Sequence, residues 1–178
     1  MEQQQREAQA RSAENRFICS LDDEFVRLHE RSCALLLLIP AEQLYRQPRV
    51  DHSGSKVSVT QPVYSCGEYL LRSAAAVEQT FGGITANLWD DPFEWTLPET
   101  LSTPAHVRDY FVEVEATRRR GFSLIASDDE LRKEIMLPSG ERSTLFALIL
   151  ETLQRAANYQ GRAFASFRLF SDSRLPVV

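Results

Sequence analysis

A chain of 178 residues, 43% hydrophobic and 25% charged, has room for one domain with a full core and is too short for two of ordinary size. Its formal net charge of -5 argues against a surface built to hold phosphate backbones, so nucleic acid is not expected as a partner. The longest apolar run, Ala34 to Ile39, falls far short of the roughly 20 residues of a membrane span, and the polar stretch Met1 to Asn15 has no apolar signal core; a cytoplasmic protein with no membrane partner is expected.

Residues 1–16 have helix-forming composition without an apolar period and are expected as a polar tail or helix extension. From Phe17 a helical stripe runs through Leu21, Phe25, Leu28, Ser32, Leu35 and Ile39, and Pro40 stops it. Ser20 followed by Asp23 resembles a capping box, but the unbroken stripe favours Ser20 as interior. The stretch 49–63, with Ser53, Gly54, Ser55, Thr60 and Pro62, marks a loop in which Val57 and Val59 alternate as a brief extended piece would.

A capping box of Ser65 and Glu68 opens the second helix; Cys66, Leu70, Ala74, Val77 and Phe81 form its buried face, and Gly82-Gly83 is expected to end it. The following loop spends Trp89, Phe93 and Trp95 within seven residues, which predicts that these rings cover a core end or wall a pocket. Thr103-Pro104 is an N-cap with proline at the first helical position. Val107, Phe111, Val114, Arg118, Phe122 and Ile125 then supply the third helix, whose stripe Arg118 interrupts. The only basic run, Arg118-Arg119-Arg120, fits a solvated turn near a helix end. Glu134 to Leu137 followed by Pro138-Ser139-Gly140 suggests a short extended segment and a turn.

The longest helix is expected over 144–170. Leu145, Ile149, Leu153, Ala156, Gln160, Ala163 and Phe167 make one row, and Leu148, Thr152, Arg155, Tyr159 and Arg162 a second beside it. Ala156, Ala157, Gly161, Ala163 and Ala165 leave room for another backbone to approach. Helices near 17–39, 66–81, 104–126 and 144–170, with long loops between the first and second and the second and third, describe an all-α four-helix bundle spanning 17–170, followed by a tail over 171–178. Cys19, Cys33 and Cys66 are odd in number and form no C-x-x-C, so buried free thiols are expected.

The motifs Ser65-Cys66-Gly67-Glu68-Tyr69-Leu70-Leu71, Asp90-Asp91-Pro92-Phe93-Glu94-Trp95, Thr103-Pro104 with Glu115-Ala116-Thr117-Arg118, and Ala157-Asn158-Tyr159-Gln160-Gly161-Arg162 occur in an order that resembles the DinB-like superfamily. That DNA-damage-inducible group also contains YfiT-type proteins and thiol-dependent transferases. The resemblance implies a bundle that often dimerises, and in many members a divalent metal held by one histidine on helix two and two on helix four. Anchored on Gly67 and Gly161, those positions fall here on Arg72, Arg155 and Tyr159, with Asn158 at another frequent histidine position. None is a plausible zinc or nickel ligand, so no metal and no cofactor are expected. His29, His52 and His106 include no i, i+4 pair, while Cys33, Cys66 and His29 could join a non-standard site only through tertiary folding.

Two functions compete. In the first, Arg72, Arg118, Glu151, Arg155, Asn158 and Tyr159 gather around a pocket for a small anionic molecule, since arginine forks suit carboxylate or phosphate. The bland alternative is internal ion pairing, because Glu151 precedes Arg155 by four residues and Glu68 precedes Arg72 by four. The second is a thiol-dependent S-transferase with an atypical or absent metal, which rests on fold resemblance alone.

Overall fold

The computed structural model describes residues 15–48, 63–92 and 98–176. Among them are four α-helices: α1 (Arg16–Leu36), α2 (Cys66–Ala86), α3 (Pro104–Ser123) and α4 (Leu145–Arg168). Long connections join α1 to α2 and α2 to α3, as the sequence predicts for an all-α four-helix arrangement. A two-stranded antiparallel hairpin, β1 (Glu134–Met136) and β2 (Arg142–Thr144), precedes α4, with Glu134 opposite Thr144. The extended segment read at 134–137 is its first strand. No described helix is long and apolar enough to cross a membrane.

Each helix start has an identifiable cause. Ser65 and Glu68 form the capping box, with the Ser65 hydroxyl accepting from Glu68 N and the Glu68 carboxylate accepting from Ser65 N. Thr103 accepts from His106 N ahead of Pro104, and Thr144 accepts from Ala147 N. The start of α1 is capped from 110 residues away: the Asp128 carboxylate accepts from Phe17 N at 3.1 Å and Ile18 N at 3.0 Å. With that end held, Ile18 turns into the core and Phe17 is exposed, a correction to the expected stripe. Ser20 is interior, donating to Arg16 O.

The helix directions follow from who meets whom. Asp22 meets Arg118 and the His29 ring meets Phe111, so α1 and α3 run antiparallel. Ser73 bonds Ala156 and Thr80 bonds Thr152, so α2 and α4 are antiparallel too. Gln160 donates to Leu28 O and Ser32 Oγ, while the N-terminal ends of α1 and α4 both adjoin the 3-10 turn Asp128–Arg132, which makes this pair parallel. Phe25, Phe81 and Phe122 meet at ring-centroid distances of 5.0 to 5.8 Å, tying α1, α2 and α3 into one core.

Two glycines show why the second helix is longer than expected. α2 passes Gly82-Gly83 and ends at Ala86, where Asn87 adopts the left-handed conformation (φ 56). Gly83 is not a terminator: the Trp89 ring lies where a side chain at 83 would be. Close packing therefore offsets the roughly 1 kcal/mol that a helical glycine costs. Gly161 is the opposite case. Nothing approaches it within 4 Å, so the expected close helix contact is not made there. The third and first helices are also shorter than expected, ending at Ser123 and Leu36, although Ile125 and Ile39 just beyond them remain buried.

Candidate functional site

α2 and α4 are locked together by polar pairs in an otherwise apolar interface. The Ser73 hydroxyl donates to Ala156 O at 2.9 Å. Thr152 Oγ1 gives its proton to Leu148 O at 2.8 Å, so in the 2.7 Å contact between Thr80 and Thr152 the donor is Thr80. These bonds fix the rotation of both helices about their axes. The row of α4 one step outward from Thr152 and Ala156 is then set to face an open cleft.

That cleft has a volume of about 530 Å³ and is lined by Tyr64, Arg72, Glu151, Arg155, Asn158 and Tyr159, with Gln154 and Arg162 completing it. Five of the six residues predicted to bind a ligand are thus brought together. Arg72 lays its guanidinium over the Tyr64 ring at 4.0 Å, and Tyr64 meets Tyr69 edge-on at 5.5 Å. Arg155 donates through Nη2 to Ala76 O at 3.3 Å and Gln79 Oε1 at 3.0 Å, leaving Nε and Nη1 with no partner among the described residues. Arg155 turns to α2 rather than to Glu151, and the Glu68 carboxylate accepts from Ser65 and Gln47. Asp91 enters at the Arg72 and Arg155 side of a smaller adjoining pocket. Three arginines against Glu151 and Asp91 leave the region with a formal charge of +1.

The sixth residue, Arg118, lies elsewhere. It is 2% exposed between α1 and α3, where Nε and Nη2 fork onto Glu115 at 2.8 Å each and Nη1 meets Asp22. Both earlier expectations for it, convergence on the ligand pocket and a solvated turn, are corrected. An arginine inside a helical stripe points into the core, and here two carboxylates meet it. Burial, aided by Arg119 alongside, draws its pKa down to about 10, so it remains cationic at neutral pH. Arg119 and Arg120 are exposed, as a solvated turn requires.

Trp89 is half-buried and walls a further pocket of about 430 Å³ that shares Glu151 and Arg155 with the cleft. Phe93 and Trp95, predicted with it, lie outside the described residues, as do His52, Val57 and Val59. Sequence reasoning passed over Tyr64 and Arg162. Arg162 sits seven residues after Arg155, which returns it to the same helical face and was the available signal. Tyr64 stands in the connection before α2, where no periodicity marks it.

The cysteines are unbridged, and only Cys66 is buried; Cys33 is half-buried and Cys19 exposed. Cys33 Sγ lies 3.5 Å from His29 Nε2, one turn earlier on α1. Burial, with Glu115 next, raises the Cys33 pKa, so this pair favours the thiol over a reactive thiolate. Burial alone pushes the Cys66 thiol up to about 12. Among the described residues no three His, Cys, Asp or Glu side chains are grouped to hold a metal ion. At the positions where the resemblance implies a metal stand Arg72, Arg155 and Tyr159, two fixed cations and a phenol, and this donor set does not fit a dication.

No family model, no curated protein and no solved structure matches the chain.

Proposed function

We propose that this protein is a DinB-like bundle in which the α2–α4 cleft binds a small molecule carrying a carboxylate or phosphate. The observation that carries the proposal is the gathering of Arg72, Arg155 and Arg162 with Tyr159 and Asn158 around one opening, with Arg155 keeping two donors available. Guanidinium groups match planar and tetrahedral oxyanions by paired N–H donors, and Tyr159 and Asn158 can add neutral ones. The order of helices and the capped start of α2 support the family proposal. Three unbridged cysteines suit residence in the cytoplasm. The exposed face of Ala157, Gly161 and Ala165 on α4 offers a flat surface for the homodimer that the resemblance implies, to be checked by sedimentation.

Thermal unfolding against phosphate, sulfate, citrate and short carboxylates tests the binding proposal. An anion at a hundred times its Kd adds about 2.7 kcal/mol, which raises Tm by roughly 5 to 10 °C for a chain of this size. Arg155→Ala should abolish that rise. No shift across the whole panel in the unaltered protein would overturn the proposal.

A further inference from the structure

The cleft does not end at its arginines. Arg72, Arg155 and Tyr159 also line the small adjoining pocket, Gln79 and Arg155 continue from there, and Arg155 with Glu151 opens into the pocket walled by Trp89, Leu137, Pro138 and Leu148. These pockets therefore lie in a row along α4 from Arg162 back to Leu148 and meet at Arg155. The two ends of the row differ in chemistry. The end at Arg155, Tyr159 and Arg162 is cationic and hydrogen-bonding, whereas the far end offers an indole, a proline and two leucines alongside the hydroxyls of Thr80, Thr152 and Ser139. Leu148 and Arg155 are seven residues apart, so roughly 10 Å of helix separates the two ends.

The apolar end is rigid as well as apolar. The Trp89 ring rests on α2 at Gly83, in the space a side chain there would need. Its Nε1 donates to Asn87 Oδ1 at 2.9 Å, and its carbonyl accepts from Gln79 Nε2 at 3.0 Å. Three anchors thus hold the indole before any ligand arrives, which lowers the ordering cost of binding against it. Pro138 is fixed in the hairpin turn closed by Gly140 N donating to Leu137 O.

Resting on the anion-binding reading above, we infer that the ligand is an amphipathic anion, its carboxylate or phosphate at Arg155 and an apolar tail about 10 Å long against Trp89. Glu151, on the path between the two ends, excludes a second negative charge midway along the molecule.

Calorimetric titration of the full chain with acetate, butyrate, hexanoate and octanoate, each below its aggregation concentration, tests this. Affinity should climb with chain length, by up to roughly fourfold for each methylene that becomes buried. Trp89→Ala should flatten the dependence and leave acetate unchanged, and Arg155→Ala should weaken every member alike. Ser139→Glu sets a carboxylate at the exposed hairpin tip beside the apolar end. It should flatten the dependence without touching the core, so a poorly folded Trp89 variant would not stop the test. Alkyl phosphates run in parallel show which head group binds tighter. Equal affinity for acetate and octanoate would overturn the amphipathic ligand while leaving anion binding intact. Binding by no member, and none by inorganic phosphate, would overturn both. Octanoate affinity unchanged in Arg155→Ala, or a length dependence that survives Ser139→Glu, would mark non-specific hydrophobic uptake and overturn the inference.

Discussion

Replacing Arg118 by methionine keeps much of the stem and removes the charge from an interface where two carboxylates depend on it. Its side chain is 3% exposed, and those of its partners Glu115 and Asp22 are 11% and 37% exposed. Breaking a buried pair from one side typically costs about 3 to 5 kcal/mol, because the remaining charge stays desolvated. Two features place Arg118→Met at the lower end, about 3 kcal/mol: Glu115 keeps the Arg119 contact at 2.8 Å, and Asp22 is already partly solvated. Urea denaturation reads this as a midpoint lower by about 1 to 2 M with an unaltered slope. Adding Glu115→Gln should return at least about 1 kcal/mol relative to the sum of the single effects, since the buried carboxylate is then gone. The anion-dependent rise in Tm should persist in Arg118→Met, because the residue is remote from the α2–α4 cleft. A stability loss under about 1 kcal/mol with strictly additive double-variant energetics would show that the fork onto Glu115 is not the feature that matters there.

Two of the helical glycines separate packing from propensity. Gly161→Ala has open space and should stabilise by up to about 1 kcal/mol in chemical denaturation, whereas Gly121→Ala would drive a methyl into the Phe81 ring and should cost about 1 to 3 kcal/mol. Cys66 gives a pH dependence of definite sign. Its folded pKa of about 12 lies above the ordinary 9.0, so stability is unaffected by this group below pH 9 and falls between pH 9 and 12, by up to about 1.4 kcal/mol per pH unit. Burial raises Cys33 as well, and Tyr45 and Tyr110 add loss above pH 10, so Cys66→Ala should remove only its own share of the loss that begins near pH 9. In native protein an aromatic disulfide reagent should label Cys19 at once and Cys66 only on unfolding. Elemental analysis after dialysis without chelator should find no stoichiometric zinc, nickel or iron; one equivalent bound between α2 and α4 would show that the assignment of positions 72, 155 and 159 is wrong.

Helix existence was legible because the apolar periods are long and the caps carry hydroxyls at the right spacing. Ser65 and Thr103, both read as caps, cap helices in the structure, and Thr144, placed inside the fourth helix, proves to be its cap. Helix ends were less so, since Gly82-Gly83 resembles a stop until Trp89 is seen resting on the second glycine. The grouping of Arg72 with Arg155 and Tyr159 was visible through helical phase within α4 and the register implied by Gly67 and Gly161. Arg118 was misplaced because sequence shows that a charge sits in an apolar stripe but not which carboxylates await it. Asp22, 96 positions away by residue number, answers that only in three dimensions. The cap on α1 escaped for the same reason, its carboxylate arriving from Asp128.

The shared direction of α1 and α4 sets where the described chain leaves the bundle. Arg16 begins beside the turn Asp128–Arg132, whereas Arg168 finishes near the start of α2, where Ser166 donates to Tyr64 O and the Arg46 guanidinium covers Phe170. Entry and exit are therefore separated by about the length of α1, 21 residues or roughly 31 Å. A circular permutant joining them would need a bridge of about ten extended residues laid along the outside of the bundle. Two reporters, one attached at each of these points, would move apart or together with the opening of the helices, and their distance in the native state should be close to one helix length.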